Sequence, residues 1–344
     1  MISEKPDLRS LTYEQLQDFV IDNNFPKFRA DQIFKWIHSG VSSIYNMSNL
    51  SNHDRDKLYN ISYISRLEIR KKFVSQIDGT VKYLFALDDG NLIETVVMKY
   101  HHGYSICVSC QVGCRMGCAF CQSTKAGLIR NLLAGEIFGQ ILEVQRDMGI
   151  RISNIVMMGI GEPLDNFDNV INFLKIVNHP NGINIGYRHI SLSTCGIVDR
   201  IDLLGMYDLP ITLSISLHSA FDSKRSEMMP INRKYNISSL IDACKRYQRI
   251  TGRRISFEYS LINGKNDSED DAKQLVKLLG GMLYHINLIP VNRIENGEFY
   301  PPDLKRIDGF RNSLIKLGAT CTVRRTLGSD ISASCGQLRS KYEK

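Results

Sequence analysis

The sequence predicts an α/β protein: a partial (β/α)6 barrel with a small N-terminal helical accessory domain and a short β meander. Three observations predict it. Between residue 104 and about 326, six β-rich runs alternate with helical stretches, a rhythm that builds a parallel sheet with helices outside. Ahead of them three β-rich runs are separated by tight-turn signals, and ahead of those the apolar residues recur at helical spacing. The expected divisions are 1–62 for the helical domain, 63–103 for the meander, 104–326 for the barrel and 327–344 for a C-terminal tail.

Taken in order, "TYEQLQDFVIDNN" sets Leu16, Phe19 and Val20 on one helical face, and "RADQIFKWIHSG" closes at Gly40, a residue suited to a helix C-terminus. In "KKFVSQIDGTVKYLFALDDGNLIETVVMKY" the turns "DGT" and "DDGN" part three strands, with Glu94 inside the third. The barrel strands read "YSICVSC" (104–110), "SNIVMMG" (153–159), "HISLST" (189–194), "ITLSISLH" (211–218), "ISFEYSLI" (255–262) and "HINLIPV" (285–291). Helices between them include "AGEIFGQILEVQRDMG", "NFDNVINFLKIVN", "ISSLIDACKRYQRIT" and "SEDDAKQLVKLLGG". Function in such barrels gathers at the C-terminal ends of the strands.

Composition narrows the partners. At 344 residues and 43% hydrophobic content the chain can bury a sizeable core, and no apolar run is long enough to span a membrane. The N-terminus lacks the pattern of a secretory leader, so the expected compartment is the cytoplasm. Nine cysteines in a reducing compartment point to metal or thiol chemistry rather than a disulfide framework. A net charge of +7, with basic clusters at 70–72, 253–254, 324–325 and in the terminal "RSKYEK", favours a polyanionic partner.

The chemistry centres on "VSCQVGCRMGCAFCQSTKAG" (108–127), where Cys114, Cys118 and Cys121 read C-x3-C-x2-C directly after the first barrel strand. Three thiols so spaced can wrap one side of a metal centre. Zinc would need a fourth ligand, from His101, His102 or a distant cysteine, and an iron–sulfur cubane usually takes four thiolates. Further along, "MMGIGEPL" is by itself a strand-to-helix turn, although its Gly161 permits close backbone approach and its Glu162 offers a carboxylate to an ammonium group. Ser193 in "LSTCG", Ser216, Leu217 and His218 in "SLH", and Asn292 in "LIPVN" also fall at strand ends. Each alone reads as a cap or a core residue; together they describe a rim.

C-x3-C-x2-C at that place resembles the radical S-adenosylmethionine superfamily, whose members hold a 4Fe-4S cluster by three thiolates and leave one iron to the amino and carboxylate groups of the cofactor. With "RNLLAGEIFGQI", "MGIGEPLDN", "SISLHS", "MMPIN", "HINLIPVN" and "GSDISASCGQL" added, nearly the whole chain resembles the RlmN/Cfr family of radical SAM RNA methyltransferases. "RRTLGSDI" and "CQSTKAGLIRNL" resemble the adenine-C2 branch more than the C8 branch. Members commonly carry Ser-Ser-Gln where this chain has Ser109-Cys110-Gln111, and Cys110 is given no role.

The resemblance implies that Cys114, Cys118 and Cys121 bind the cluster, and that Gly161, Glu162, Ser193, Ser216, Leu217, His218 and Asn292 contact S-adenosylmethionine, two molecules of which are used per turnover. It implies that Cys335 accepts a methyl group from the first molecule. A radical made from the second would activate that methyl for addition to adenine. Cys107 then resolves the covalent enzyme–RNA bridge by forming a disulfide, with Glu94 as proton acceptor. Cys195, Cys244 and Cys321 are expected to pack. Implied partners are 23S ribosomal RNA in the peptidyl-transferase region, tRNA at the adenosine 3′ of the anticodon, and an electron donor such as flavodoxin or ferredoxin; the protein is expected to be a monomer. RNA is expected to meet the basic residues of the N-terminal helices, the 125–130 loop, Arg324 and Arg325. Two other readings stand beside this one: C8 methylation of adenine, and a zinc-stabilised RNA-binding protein without catalysis.

Overall fold

The computed structural model describes residues 5–294 and 297–338; the terminal "RSKYEK" lies outside the described residues. Helices α1 (Tyr13–Asp22), α2 (Arg29–His38) and α3 (Asn52–Ile61) come first. Thr12 and Gln15 cap α1 reciprocally, satisfying two N-terminal amides. Gly40, at φ +81°, follows the end of α2 and donates its N–H to Ile37 O. Of the expected α1 face Leu16 and Val20 are buried and Phe19 is half-buried beside them; Ile33, Phe34 and Ile37 form the buried stripe of α2.

Strands β1 (Leu67–Val74), β2 (Val81–Leu87) and β3 (Leu92–Tyr100) form the meander, and β3 pairs antiparallel with β4 (Gly103–Cys107). The meander therefore prolongs the barrel sheet. A short hairpin, β5 (Gln111–Gly113) with β6 (Leu128–Asn131), interrupts the alternation before α4 (Ala134–Met148). There follow β7 (Ile152–Met157), α5 (Phe167–Asn178), β8 (Ile190–Thr194), α6 (Val198–Met206), β9 (Thr212–Ser216), α7 (Asp222–Met228) and α8 (Ile237–Thr251). The last are β10 (Ile255–Leu261), α9 (Glu269–Leu279), β11 (Tyr284–Pro290), α10 (Leu304–Lys316) and β12 (Cys321–Val323). Strands β4, β7, β8, β9, β10, β11 and β12 are parallel neighbours in that order. The six expected barrel strands are present, and β12 adds a seventh too short for periodicity to reveal.

Alternation along β3 shows what the meander covers. Ile93 and Val97 belong to the main core, and Thr95 hydrogen-bonds Gln140 of α4 at 2.7 Å. Val96 and Met98, on the opposite face, pack with Cys107, Ile160, Ala333 and Leu338. One face thus rests on the helix layer, while the other receives the C-terminal tail.

The helical domain is seated firmly on α4 and α5. Asp7 Oδ1 accepts the N–H groups of Arg9 (3.1 Å) and Ser65 (2.9 Å), and Ser10 Oγ accepts the N–H of Gly135 at 2.8 Å. His38 stands 4.8 Å from the Phe138 ring and accepts the Ile183 N–H on Nδ1 at 3.1 Å; a Cβ on Gly182 would lie 2.4 Å from its Cε1. Burial, followed by nearby His179, pushes the His38 imidazole down to about 3. The unfolded imidazole titrates near 6.5, so between those values the unfolded chain binds the extra proton and stability rises with pH. Stability should accordingly fall as pH drops from 6.5 towards 3, with His38 contributing at most about 1.4 kcal/mol per pH unit. Denaturant midpoints measured across that range should show a shallower slope for His38→Asn than for the wild type; equal slopes would contradict the assignment.

Candidate active site

The three cysteines lie on a loop whose ends are closed by the β5–β6 hairpin. Cys114 N–H donates to Gly127 O at 3.0 Å, and a Cβ on Gly113 (φ +76°) would stand 1.9 Å from that oxygen, so only glycine allows the closure. Across the loop, Cys121 N–H reaches Cys118 O at 3.1 Å, Ala119 N–H reaches Met228 O at 2.9 Å, and Thr124 Oγ1 donates to the Cys121 carbonyl at 3.0 Å. Cys114, Cys118 and Cys121 all line one cavity at the C-terminal ends of the barrel strands. Burial pushes the Cys114 thiol up to about 12, and burial and mutual proximity push up Cys118. Only a bound cation would hold such thiols ionised together. Among the described residues no three His, Cys, Asp or Glu side chains gather as ligands of one ion; a cubane asks for less convergence, because each thiolate holds its own iron. The donor set, three soft thiolates beside an open cavity, fits a cluster with one iron left to another ligand. His101 and His102 follow β3 and precede β4, at the opposite end of that strand from the loop, so they supply no fourth ligand.

Opposite the loop stands the rim. Gly161 has φ +107°, and a Cβ there would lie 2.6 Å from Gln111 Cβ. That close approach lets Gln111 Oε1 accept the Glu162 N–H at 2.9 Å. The buried Glu162 carboxylate accepts the N–H groups of Leu164 (3.0 Å) and Cys195 (2.7 Å), while burial pushes its proton affinity up. His218, in left-handed backbone at φ +59°, accepts the Ser260 N–H on Nδ1 at 2.9 Å and meets the Phe120 ring edge-on at 4.8 Å. Burial, aided by Arg225, pushes this imidazole down to about 3, so it is neutral, and the bond accepted at Nδ1 assigns its proton to Nε2. Ser193, Ser216 and Asn292 share the same wall.

Leu217 does not. Its side chain is fully buried in the main core, and its N–H and carbonyl are taken by Glu258 O and Arg225 Nε. The alternation that turns Ser216 inward turns Leu217 away.

Cys335 is held at the edge of this cavity. Asn292 Nδ2 donates to its carbonyl at 3.0 Å, and Gln122 N–H donates to Gly336 O at 2.7 Å. A second, smaller cavity beside the first is lined by Cys107, Arg324 and Arg325, and Cys335 with Asn292 lines both. Cys107 ends β4 opposite Val96, and burial pushes its thiol up to about 12. Glu94 lines neither cavity: it is fully buried, 2.9 Å from Lys82 Nζ.

Sequence reasoning missed several contributors. Arg225, fully buried, ties the ends of β8 and β9 together through Cys195 O (2.8 Å), Ser216 O (3.1 Å) and Leu217 O (3.1 Å). Cys195, expected only to pack, lines the cavity. Glu258 lines it too, accepting from Ser256 Oγ (3.0 Å) and Asn287 Nδ2 (2.6 Å) below; a carboxylate inside a barrel strand was the available signal. Cys110 is a core thiol beneath the loop, Cys244 lies on the buried face of α8, and half-buried Cys321 of β12 packs against the core. Two expected RNA contacts are otherwise engaged: Arg130 pairs with Asp89 (2.6 Å) and Glu136 (2.7 Å), and Arg324 is half-buried over Met158. Lys27, Lys35, Lys125 and Arg325 are exposed.

Comparison with known proteins gives the same class. Residues 108–278 match the radical SAM superfamily, which makes this chain a radical SAM enzyme and implies a 4Fe-4S cluster and S-adenosylmethionine. Residues 6–64 match a ribosomal RNA large subunit methyltransferase N-terminal domain. The chain is 53% identical over 339 residues (98% of this chain, 99% of the relative) to a probable dual-specificity RNA methyltransferase RlmN of Alkaliphilus oremlandii. To that of Clostridioides difficile it is 50% identical over 343 residues (100% of this chain, 100% of the relative). A crystal structure of a radical SAM methyltransferase from Sphaerobacter thermophilus superposes with a TM-score of 0.92 at 41% identity, covering 98% of this chain and 100% of the other. The chain belongs to the RlmN family of radical SAM RNA methyltransferases.

The close approach at Gly161 yields a direct test. Gly161→Ala places a Cβ 2.6 Å from Gln111 in strained backbone, and should weaken S-adenosylmethionine binding by at least about tenfold while costing about 1–3 kcal/mol of stability. Calorimetric titration and denaturant unfolding read the two effects; unchanged affinity would remove this turn from the binding site.

Proposed function

We propose that the protein methylates C2 of adenosine in 23S rRNA, in the peptidyl-transferase region, and in tRNA at the adenosine 3′ of the anticodon, through a methylated Cys335. The observation that carries the reading is that Cys335 lines both the cavity of the three cysteines and the cavity of Cys107. Support for the substrate class comes from relatives described as dual-specificity RNA methyltransferases.

Bound at Cys114, Cys118 and Cys121 and along the Gly161, Glu162, Ser193, Ser216, His218 and Asn292 rim, the cluster and S-adenosylmethionine, two molecules per turnover, would supply the methyl group and the radical that activates it. The chain's own residues do the rest. Adenine C2 is electron-poor and cannot attack a sulfonium methyl, so a protein thiol has to carry the group first. Cys335 is that carrier, and its place on a shared wall gives it access to the methyl source on one side and to Cys107 on the other. Glu162 offers its carboxylate to the cofactor's ammonium. Neutral His218 donates from Nε2 and adds no positive charge beside that ammonium. Attack by Cys107 on the Cys335 sulfur forms the disulfide and breaks the sulfur–methylene bond, and the freed carbon takes a proton to become the methyl group. An external two-electron donor restores the thiols, while an electron donor such as flavodoxin or ferredoxin would serve the cluster. Glu94 accepts the C2 proton, which requires the tail residues over it to lift.

The reacting adenine must leave its stack, as in other enzymes that act on a base. Exposed Arg325, which lines the second cavity, and exposed Lys125, next to Thr124 of the first, suit its phosphates. No helix among the described residues is long and apolar enough to cross a membrane. We read the protein as a cytoplasmic monomer acting on RNA.

Anaerobically reconstituted protein, given S-adenosylmethionine, reductant and unmodified rRNA or tRNA, should yield 2-methyladenosine by nucleoside mass spectrometry. Finding 8-methyladenosine would move the reading to C8 chemistry, and zinc with no methylated base would leave an RNA-binding protein. Cys335→Ala should lower turnover more than about 10³-fold. Cys107→Ala should instead accumulate a covalent enzyme–RNA adduct on denaturing gels, and its absence would contradict the resolving role.

A further inference from the structure

The segment carrying Cys335 leaves β12 and crosses the end of the meander, where its course is set by side chains that none of the roles above uses. Gly328 N–H donates to Asp78 Oδ2 at 2.8 Å. Asp330 accepts from Ser75 Oγ at 2.7 Å and from the Gln76 N–H at 2.9 Å. Lys82 Nζ, 2.9 Å from Glu94 Oε1, also donates to Ser332 O at 3.2 Å. All of these partners lie in the turn between β1 and β2 or at the start of β2. Gly328 (φ +64°) and Ser332 (φ +50°) take left-handed backbone, and a Cβ on Gly328 would stand 2.9 Å from Thr80 Cγ2. Only glycine lets the tail lie so near.

Beyond Ser332, Ala333 packs with Val96, Met98 and Cys107. On the far side of Cys335 the holds are different: Asn292 on its carbonyl, Gln122 N–H on Gly336 O, and Ser123 Oγ on Leu338 O at 2.7 Å. Those far holds belong to the rim and the cysteine loop, where substrate must enter. The near holds do not: Ser75, Gln76, Asp78 and Lys82 line neither cavity.

The geometry points to the β1–β2 turn, with Lys82 and Asp330, as a clip that fixes the base of the tail while its tip changes partners, keeping Cys335 within reach of Cys107. These are positioning residues: none lines either cavity, and Lys82 meets the proposed base Glu94 only as its ion-pair partner. The assignment rests on the proposed roles of Cys335 and Cys107. Without the clip the tether runs from β12, and a longer, looser tether lowers the effective concentration of one thiol at the other. Lys82 also holds Glu94, so one ammonium group couples tail docking to the placement of that carboxylate.

The test uses full-length, cluster-reconstituted protein without RNA, exposed to glutathione disulfide. Two thiols lose two protons and two electrons, the Cys107–Cys335 bond forms, and glutathione disulfide is reduced to two glutathiones. Quenched-flow alkylation with peptide mass spectrometry gives the rate. Asp330→Ala, at an exposed position, and Lys82→Met should each slow this step by at least about tenfold, the worth of one charge-assisted hydrogen bond. Both should speed alkylation of Cys335, and Lys82→Arg should restore the wild-type rate to within about threefold. Rates within about twofold of wild type in both Asp330→Ala and Lys82→Met would overturn the clip. Since the assay needs neither RNA nor S-adenosylmethionine, a wild type that forms no methyladenosine would count against the proposed reaction and leave the clip's result standing.

Discussion

Parallel pairing is the constraint from which the site follows. Because β4, β7, β8, β9, β10 and β11 run the same way, each must return through a crossover, and every strand ends on the same rim. The cysteine loop, Glu162, Ser193, Ser216, His218 and Asn292 therefore face one cavity although they span much of the sequence. Backbone hydrogen bonding brings them there; side chains only refine the fit. Arg225 is the chief refinement, a buried guanidinium spanning two strand ends through three carbonyls. Its charge is left against dipoles rather than a paired carboxylate, an arrangement tolerated where each guanidinium nitrogen donates.

Burial sets the chemistry of the rim. The thiols of Cys114, Cys118 and Cys107 are all pushed upward by loss of water, so the protein alone would keep them protonated. A cationic cluster held by the loop would reverse that preference. In the proposed reaction Cys107 would need no metal: it would wait as a thiol beside the tail until Cys335 presented a bond to attack. The meander matters here because β3 supplies the floor on which the tail rests, through Val96 and Met98.

Much of this was legible beforehand, and the gaps have physical causes. Strands of five to seven residues between amphipathic helices were plain from periodicity, whereas β12 and the β5–β6 hairpin are too short to carry a period. The rim could be named because motif residues sit at strand ends, but the alternation rule applied to "SLH" would already have placed Leu217 in the core. Lys82 was hidden by distance, yet the pairing of Lys82 with Val96 and Leu84 with Glu94 in β2 and β3 makes Lys82 and Glu94 diagonal neighbours, a cross-strand ion pair that the predicted meander allowed. Arg225, Glu258 and the contacts of the tail with the β1–β2 turn depend on the folded course of distant segments, which no local pattern encodes.

The account stands or falls on Cys335 as the cysteine that lines both cavities. The most direct measurement is peptide mass spectrometry of the purified, reconstituted protein after incubation with isotopically labelled S-adenosylmethionine and before any RNA is added. A single labelled methyl group on the sulfur of Cys335 is the predicted result. Label on Cys107 or another residue, or no protein-bound label while RNA is still methylated, would contradict it.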